Sequence, residues 1–435
     1  MKSDVVPVYA SGIVPQAELH DFVSRVVVPS FWRGSELTSL DLKRVRFSPG
    51  EECAVLATLG LEPDSAARPQ VVVTFTPKGE LAKATKRHKK LSSAGGDFVM
   101  SPALGCMAEV FPSDWRLPSL QGLINEGSLK PALLAALEIE GAAEVYSLES
   151  TVLRYRPHSR AVLAFTLRTA DGSVRAESVG KIYRNEKKAA RAWRLLNAVH
   201  AQTAASPIVP RPVLWLDEAA LVLMAKAPGS SLASLLTRDG NGDASSAGVR
   251  AAAEALFAFH GVETSEAKDR DADKDLKAAR KLAKEMRPQT ALVLEARKLL
   301  KNIDDRMEAF IRPVGRTLTH GAFKPSAVLV EGGQATIVDL DGCARGDPAR
   351  DVGCFASKLR EMAVLHDQPR LAALSDEFVQ AYASRSPDAL VVERARVYAS
   401  LFLTGLALKN LNTRTDGKAA SFPATLLLEA RRQLR

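Results

Sequence analysis

Between residues 152 and 183, apolar residues alternate with polar ones or form short continuous segments, which is typical of β-strands. The segments VLRYR, AVLAFTL and VRAESVGKIY predict three successive strands. Pro157-His158-Ser159 interrupts the first pair, and Asp171-Gly172, a strong hairpin signal, joins the second. The next segment, NEKKAARAWRLLNAVH, spaces its apolar residues along one helical face, and further strands are expected at 212–216 and 220–224. This order predicts a small antiparallel sheet with one helix.

A similar pattern occurs earlier in the chain. Residues 45–59 align with residues 153–167 without a gap, at an offset of 108, and four of the fifteen pairs are identical. VVVTF then follows the first block as VGKIY follows the second, and MAEVFPSDWRLPSL later corresponds to MAKAPGSSLASL. Because three blocks keep their order, we predict that a degenerate duplicate of the small sheet precedes it.

From about Ala251 onwards the pattern is mostly helical. Residues 264–286 are highly charged and predict a solvated stretch. The segment RTLTHGAFKPSAVLVEGGQATIVDLDG predicts a buried strand, a tight loop and a hairpin that turns at Gly332-Gly333. Further helices are expected near residues 290–311, 352–365, 371–383, 388–411 and 421–434.

The composition is that of an ordinary globular chain. Its 435 residues are 46% hydrophobic and 25% charged, which excludes disordered, collagen-like and disulfide-scaffold classes. The net charge of +9 suits an anionic ligand such as nucleotide phosphate. Four cysteines without C-x-x-C spacing, the lack of a signal-peptide pattern and the lack of a long apolar window predict a cytoplasmic protein with reduced thiols. The basic run Lys83–Lys90 has no interleaved aromatic residues, so we favour a solvated helix face over a nucleic-acid site.

Several ordered motifs in the second part of the chain resemble a known family. The loop THGAFKPSAVLV, followed by IVDLDG, resembles that of the aminoglycoside-phosphotransferase and choline-kinase family, whose fold is similar to that of protein kinases. The family pattern is H-G-D-x-x-x-x-N, then an apolar pair with Asp, then G-D-P-x-x-D. His320, Gly321, Asp339 and residues 346–351 match this pattern. The resemblance covers about residues 150–435.

The resemblance implies two nucleotide-binding positions in the small sheet. Lys181 in VGKIYR stands where the family has its third-strand lysine, which pairs with nucleotide phosphates. The segment LVLMAKAPGSSL resembles the hinge, which implies that Met224 also binds the nucleotide. ATP with Mg²⁺ is the cofactor that the resemblance implies. In the first copy Val73 or Thr74 stands at the position of Lys181, so that copy cannot make the phosphate contact.

The pattern and the resemblance together predict an α+β fold. We expect a protein-kinase-like two-lobe fold, with a small antiparallel β-rich lobe and a large helical lobe, preceded by a degenerate duplicate of the small lobe. The expected domains are an N-terminal cap over residues 1–148, a kinase-like small lobe over 149–228 and a helical lobe with the catalytic-loop motif over 229–435.

The catalytic residues of the family are not all present. Ala322 occupies the position of the Asp that accepts the proton of the substrate hydroxyl, and Ala327 that of the Asn that ligates Mg²⁺. Alanine can do neither, so the base and one metal ligand are lost. The helix after the third strand also lacks the expected glutamate, because Glu186 comes too early. Ala225 or Lys226 replaces the acidic residue of the hinge.

Charged side chains nevertheless remain in the loop. Asp339 is the candidate metal ligand, and Asp341 points to the same side if that piece of chain is extended. Lys324 resembles the catalytic-loop lysine of protein kinases, which neutralises the transferring phosphate. We expect structural roles for four other residues: helix capping and a tie to the loop for Asp347 and Asp351, a buried hydrogen-bonding brace for His320, and core packing for His260.

Two functions from different classes stay open. The first is a degenerate kinase-like protein, a pseudokinase, that binds a nucleotide or a partner and acts as a regulator or scaffold. The second is an active small-molecule phosphotransferase that uses Asp339, Asp341 and Lys324 in an altered site, since a positioned base contributes roughly 10²–10⁴-fold. Another nucleotide-dependent transfer, such as nucleotidylation, is a further option. The expected partners are a nucleotide and an unidentified small molecule or protein, with no membrane, and the motifs name no acceptor.

Overall fold

The chain forms two compact units, which consist of residues 1–190 with 213–226 and of residues 191–212 with 227–435. The domain boundaries predicted from the sequence stay predictions. Most of the basic run Lys83–Lys90 and the first fifteen residues lie outside the part of the chain that the structure describes. This computed structural model describes residues 16–48, 52–63, 68–76, 80–83, 85–86, 98–125, 129–138, 145–238, 242–286, 290–310, 314–413 and 421–435.

The first unit contains two five-stranded sheets, and antiparallel ladders connect their strands. Two short helices, Gln16–Phe22 and Val28–Phe31, flank a π-helical segment at Val23–Val27 and precede the first sheet. The elements of this unit are α1 (Gln16–Phe22), α2 (Val28–Phe31), β1 (Glu36–Ser48), β2 (Glu52–Glu62), β3 (Gln70–Phe75), β4 (Phe98–Ser101), β5 (Cys106–Val110), α3 (Leu120–Asn125), α4 (Lys130–Ala136), β6 (Val145–Arg156), β7 (Arg160–Thr169), β8 (Val174–Tyr183), the start of α5 (Glu186–Gln202), β9 (Pro212–Leu216) and β10 (Leu221–Ala225).

The two sheets have the same topology. The strand order is β1-β2-β3-β5-β4 in the first and β6-β7-β8-β10-β9 in the second. In the first hairpin of the first sheet Ser48 pairs with Glu52, and in that of the second sheet Arg156 pairs with Arg160. The residues of the second pair lie 108 positions after those of the first, so the two hairpins have the same register. Each of the two ladders also contains two register shifts.

The next pair of strands identifies the counterpart of Lys181. Lys181 pairs with Val162, and the residue 108 positions before Val162 is Ala54. Ala54 pairs with Thr74. Thr74 therefore stands where the second sheet has its lysine, and this buried threonine has no positive charge with which to hold a phosphate.

A shared core joins the two sheets of the first unit. Leu56 and Val72 of the first sheet belong to one buried cluster with Leu163 and Phe165 of the second, and Leu120 of α3 completes it. The opposite face of the first sheet packs against α1. Because both of its faces are covered, β2 is apolar and buried at successive positions rather than alternately.

The second unit is mainly helical. Its core includes a stack of three buried rings, in which Phe355 lies 5.3 Å from Phe323 and 3.9 Å from Phe378 between ring centroids. Its elements are the rest of α5, then β11 (Ser230–Ser231), α6 (Leu232–Thr237), α7 (Gly242–His260), α8 (Lys274–Glu285), α9 (Ala291–Phe310), β12 (Thr317–Thr319), β13 (Val328–Glu331), β14 (Gln334–Ile337), β15 (Ala344–Gly346), α10 (Ala349–His366), α11 (Arg370–Ala383), α12 (Val391–Thr413) and α13 (Ser421–Gln433).

One expectation for this unit needs correction. The charged segment 264–286 contains helix α8, which buries Leu276, Ala279 and Ala283 along one face. The spacing of these three residues is that of an amphipathic helix, and their small number made the segment look solvated throughout. The antiparallel sheets, the helical C-terminal part and the additional N-terminal sheet confirm the α+β class.

Two further findings concern the chain as a whole. All four cysteines have free thiols. Among the described residues, no helix is both long enough and apolar enough to cross a membrane.

Candidate functional site

A short loop between β12 and β13 carries the catalytic-loop motif, and one carboxylate holds its backbone. The N–H groups of His320 and Gly321 donate to the two carboxylate oxygens of Asp351, at 2.5 and 2.9 Å. The guanidinium of Arg350 donates to the carbonyl oxygen of Gly321 at 2.8 Å. Asp351 and Arg350 lie in the first turn of α10, so this helix fixes the start of the loop. The tie expected for Asp351 is confirmed.

Asp351 is fully buried, and the groups around it favour its charged form. The ring of His260 contributes Nε2 at 3.3 Å from Asp351 Oδ2, and its Nδ1 lies 2.7 Å from the hydroxyl oxygen of Tyr382. Burial by itself raises the pKa of Asp351, but His260 and Arg350 outweigh it and hold that pKa below its ordinary value. His260 therefore has the core position that was expected, and it also supports the loop.

His320 has the position of the buried hydrogen-bonding brace that was expected. Its side chain is buried, and Nε2 lies 3.0 Å from the carbonyl oxygen of Val338. A carbonyl oxygen only accepts hydrogen bonds, so Nε2 carries the proton. Burial lowers the pKa of His320, which keeps the ring neutral despite the nearby carboxylate of Asp351. This bond joins the loop to the segment that leads to Asp339.

Gly321 and Phe323 determine the course of the loop. Gly321 has a φ of +77°, and a Cβ atom there would lie only 2.0 Å from the carbonyl oxygen of Gly342. Only glycine fits this close approach of two backbone segments. Phe323 is fully buried in the ring stack. Its neighbours Ala322 and Lys324 are exposed and half-buried, respectively, so they are placed at the edge of an anchored loop.

Ala327 and Asp339 lie next to one another across the end of the β13–β14 hairpin. The N–H of Val338 donates to the carbonyl oxygen of Ala327 at 2.9 Å, and Asp339 is the next residue. Ala327 is buried, with 2% of its surface exposed. Ala327, which the resemblance aligns with a metal-ligating Asn, therefore lies beside Asp339, and its methyl group supplies no ligand.

The segment after Asp339 is not extended. Asp339 has a left-handed backbone with φ of +67°, and Leu340–Gly342 forms a 3₁₀ turn. The alternation of an extended strand therefore does not apply, and the expectation that Asp341 points to the same side as Asp339 loses its basis. Both carboxylates are half-buried.

Asp347 has the structural role that was expected. Its Oδ1 accepts a hydrogen bond from the N–H of Ala349 at 2.9 Å, at the start of α10. The guanidinium of Arg394 contacts both carboxylate oxygens, with Nε at 2.9 Å from Oδ2. Burial raises the pKa of Asp347 even though Arg394 opposes this. The pair connects α10 to α12.

Lys181 and Met224 lie on the neighbouring strands β8 and β10 of the first unit. Lys181 of β8 pairs with Val222 of β10, and Met224 of β10 pairs with Val179 of β8. The two pairs are two positions apart along the ladder. Lys181 is buried, with 6% of its surface exposed, and its ammonium nitrogen lies 5.4 Å from the centre of the Tyr183 ring. A buried ammonium among apolar strands is costly unless an anion or a ring compensates it.

The hinge position carries a cation that has a partner. Lys226 Nζ lies 2.7 Å from a carboxylate oxygen of Glu177, across the ladder between β8 and the chain that follows β10. The sequence showed the loss of the usual acidic residue but not this ion pair. Glu186 is exposed and is the first residue of α5.

Sequence reasoning missed a buried charged cluster at the tip of the β6–β7 hairpin. His158 is fully buried in a left-handed conformation, with φ of +58°. Its N–H donates to Asp114 Oδ2 at 2.8 Å, and its ring nitrogens lie 3.2 Å from Glu109 and 3.4 Å from Glu52. The hydroxyl of Tyr155 donates to the same oxygen of Asp114 at 2.8 Å. Three carboxylates of the N-terminal segment therefore hold this hairpin tip.

The charges of this cluster stabilise one another. Burial by itself lowers the pKa of His158, but Asp114, Glu109 and Glu52 outweigh it and raise the pKa to about 9. Burial likewise raises the pKa of Glu52, yet His158 and the guanidinium groups of Arg116 and Arg46 bring it to about 2. These two guanidinium groups donate to Glu52 at 2.7 and 3.1 Å. The only local signal in the sequence was the turn Pro157-His158-Ser159.

The loop fits a magnesium ion only in part. Mg²⁺ is usually held by one or two carboxylates together with substrate phosphates. Asp339 has a carboxylate of this kind and lies beside Ala327, which supplies no oxygen from its side chain. Among the described residues, no group of three or more His, Cys, Asp or Glu side chains could hold a metal ion by itself. Any Mg²⁺ here would take the rest of its coordination from phosphate oxygens and water.

Comparison with known proteins assigns the family. A family model described as the phosphotransferase enzyme family matches residues 156–397, which is more than half of the chain. The chain belongs to this family. The resemblance found in the loop motifs and the kinase-like fold that it implied are thereby confirmed. A comparison with curated proteins found no match.

Three solved structures illustrate the similarity. A choline/ethanolamine kinase family protein from Mesorhizobium loti is 14% identical, with a TM-score of 0.46 over 70% of this chain and 93% of its own. An ethanolamine kinase from Plasmodium vivax is 12% identical, with a TM-score of 0.47 over 81% and 95%. A macrolide 2'-phosphotransferase from Brachybacterium faecium is 21% identical, with a TM-score of 0.43 over 69% and 98%. Similarity at this level carries neither a residue role nor a substrate to this chain.

Proposed function

We propose that this chain is a pseudokinase of the phosphotransferase family, which binds a nucleotide or a partner and acts as a regulator. One observation carries the proposal. The loop keeps its fixed course while the two side chains that would act as base and metal ligand are methyl groups, at Ala322 and Ala327. Phosphoryl transfer relies on positioning and on the neutralisation of charge, so the loss of both groups removes chemistry without removing the frame.

The intact frame argues against general decay of the site. Asp351 still holds two backbone N–H groups of the loop, and His320 still bonds to the segment before Asp339. A loop that had lost every function would be under no constraint to keep Gly321 in its close approach to Gly342. A retained binding function accounts for this combination.

Lys181, Met224 and Asp339 are the residues that we assign to the nucleotide. Lys181 would pair with phosphate oxygens, Met224 would contact the base at the hinge, and Asp339 would hold Mg²⁺. ATP with Mg²⁺ is the proposed ligand, with binding weakened by the missing ligand at Ala327. Four free thiols support a location in the reducing cytoplasm.

The alternative is an active phosphotransferase with an altered site. Asp339 is held in a left-handed conformation that non-glycine residues rarely adopt, and such strain is frequent at functional sites. Lys324 and Asp341 would then neutralise the transferring phosphate and support the metal. This function requires the substrate hydroxyl to lose its proton late, without a positioned base.

The N-terminal sheet fits the role of a degenerate duplicate that packs on the small lobe. The equal strand order, the equal register at an offset of 108 and the shared core support this origin. Thr74 replaces the lysine, so the copy would act as a cap and not as a second nucleotide site.

The proposal is tested by the melting temperature of the full chain with and without ATP and Mg²⁺. A ligand that binds only the folded state raises the melting temperature. We expect such a rise in the wild type, its loss in Lys181→Ala, and an unchanged rise in the control Lys188→Ala, which removes an exposed lysine. Each variant is compared with itself without ATP, so a change in its own stability does not matter.

Two outcomes would contradict parts of the proposal. A rise in Lys181→Ala equal to that of the wild type would show that the nucleotide site is assigned wrongly. Consumption of ATP by the wild type at an ordinary kinase rate of roughly 1–100 s⁻¹ would support the active phosphotransferase instead.

A further inference from the structure

A cavity of about 640 Å³ opens in the first unit, and none of its lining residues belongs to the loop described above. One wall comes from the segment after β5, with Trp115 and Arg116. The other comes from the end of β8, the start of α5 and the turn before β10, with Tyr183, Arg184 and Ala219. Small-molecule sites usually have volumes of roughly 300–1,000 Å³, so this cavity is large enough for one.

The cavity has an apolar floor. Trp115 forms part of this floor and is buried, with 5% of its surface exposed. Alanines of the β9–β10 turn extend the apolar lining. The guanidinium of Arg116 lies 4.4 Å from the centre of the Trp115 ring. This stacking fixes the cation at the edge of the apolar floor.

Cations exceed carboxylates around the cavity. Arg116, Arg184 and Lys187 line it, against the carboxylates of Glu186 and Glu218. Within the described part of the chain, Arg184 and Lys187 form no ion pair or hydrogen bond through their side chains.

Arg116 is anchored on one side by a carboxylate. One terminal nitrogen of its guanidinium contacts Glu52 at 2.7 Å. Its Nε is buried and has no hydrogen-bond partner among the described residues. Burial lowers the pKa of Arg116, and the like charges of Arg184 and Arg46 act in the same direction, although Glu52 opposes them. An anion in the cavity would relieve this crowding of positive charge.

We propose that the cavity binds a small organic anion, an apolar body that carries one phosphate or carboxylate group. The charged group contacts Arg116, Arg184 and Lys187, and the apolar body lies against Trp115 and Ala219. A neutral ligand would leave the cations uncompensated, and a long polyanion would meet Glu186 and Glu218 at the same surface. Planar anions suit guanidinium groups in particular, since the fork of N–H donors matches two oxygens.

The test is a titration of 4-fluorophenyl phosphate with the full chain, in the absence of ATP. Binding is monitored through the ¹⁹F NMR signal of the probe. The neutral probe 4-fluorobenzyl alcohol has a similar body and no charge. We expect saturable binding of the phosphate, weaker binding of the alcohol by about tenfold or more, and a decrease in the affinity for the phosphate at high salt. Equal affinity for the two probes would overturn the proposal.

Two variants locate the bound probe. Arg184→Gln combined with Lys187→Gln removes two exposed cations, so the fold is retained, and the dissociation constant should rise by about tenfold. Lys188→Gln is the matched control, because it removes an exposed lysine of the same helical turn that does not line the cavity. Binding that is unchanged in the double variant would place the probe elsewhere and overturn the proposal. The test needs no nucleotide to bind, so its outcome is independent of the proposed function.

Discussion

At the scale of single residues, His158 combines two features that are each costly. It has a left-handed backbone at the tip of a hairpin, and its ring is fully buried. Such a residue is retained only where its surroundings compensate it, and here three carboxylates do so. Removal of one partner from a buried ionic group typically costs roughly 3–5 kcal/mol, because the other charge remains buried without compensation. The N-terminal carboxylates and the hairpin tip therefore depend on one another.

This dependence predicts how stability changes with pH. The pKa of His158 rises from 6.5 in the unfolded chain to about 9 in the folded one, so its contribution is complete below pH 6.5 and is lost as the pH rises through 9. Glu52, with its pKa lowered from 4.5 to about 2, contributes fully above pH 4.5 and adds no change in this window. We expect the free energy of unfolding to fall between pH 6.5 and 9, by about 3 kcal/mol at most.

The measurement is urea unfolding across this range, together with NMR titration of the His158 ring. In Glu109→Gln one of the carboxylates that raise the pKa is neutral, so both the ring titration and the loss of stability should move to lower pH. A His158 ring that titrates at or below pH 6.5 in the wild type would contradict the assignment.

At the scale of elements, the sequence predicted the strands, turns and helices that a local pattern of residues determines. The strands at 161–167 and 174–183, the hairpin at Gly332-Gly333 and the helix near 290–311 all occur close to their expected places, because hydrophobic period and turn residues determine them. Helix α8 was missed because it has only a narrow apolar face.

Contacts between distant segments could not be predicted from local pattern. Asp114 and Glu109 lie 44 and 49 positions from His158, and no periodicity marks them as its partners. The left-handed conformation of Asp339 is likewise imposed by its surroundings, since aspartate has no strong preference for it. The motif residues, by contrast, were recognisable because a family pattern fixes their spacing.

The loop as an element allows the lost chemistry to be tested. Ala322→Asp with Ala327→Asn should recreate a base and a second metal ligand beside Asp339, because Asp351 and His320 hold the loop on its course. We expect tighter binding of ATP that depends on Mg²⁺, and slow ATP hydrolysis without an acceptor. Titration calorimetry and phosphate release measure the two effects.

The single variants and the wild type provide the controls. Ala322 is exposed and accepts a larger side chain freely, whereas Ala327 is buried, so the melting temperature of each variant shows whether the asparagine is accommodated. Ala322→Asp alone should have the smaller effect, since it adds a carboxylate without the neutral ligand. If the wild type already consumes ATP rapidly and the double variant is slower, the site works through Asp339 and Lys324, and the pseudokinase proposal is wrong.

At the scale of the whole molecule, the N-terminal segment is expected to be required for the stability of the small lobe. Leu163 and Phe165 are buried against Leu56 and Val72 of the first sheet. Deletion of the N-terminal segment would expose these residues and would also remove the carboxylates that compensate His158. Exposure of one large apolar side chain costs roughly 1.5–3 kcal/mol, and a domain is usually stable by only about 5–15 kcal/mol.

A truncated chain that begins at Glu149 should therefore melt at a lower temperature than the full chain, or be insoluble. Sedimentation and thermal unfolding of both chains measure this difference. Leu56→Ala in the full chain is the graded control: it leaves a cavity in the shared core without exposing that core, so it should lower stability by roughly 2–5 kcal/mol and leave the protein soluble. A truncated chain that remains a soluble monomer with the melting temperature of the full chain would show that the two sheets fold independently. In that case residues 1–148 would contribute nothing to the stability of the second sheet, and the prediction would be wrong.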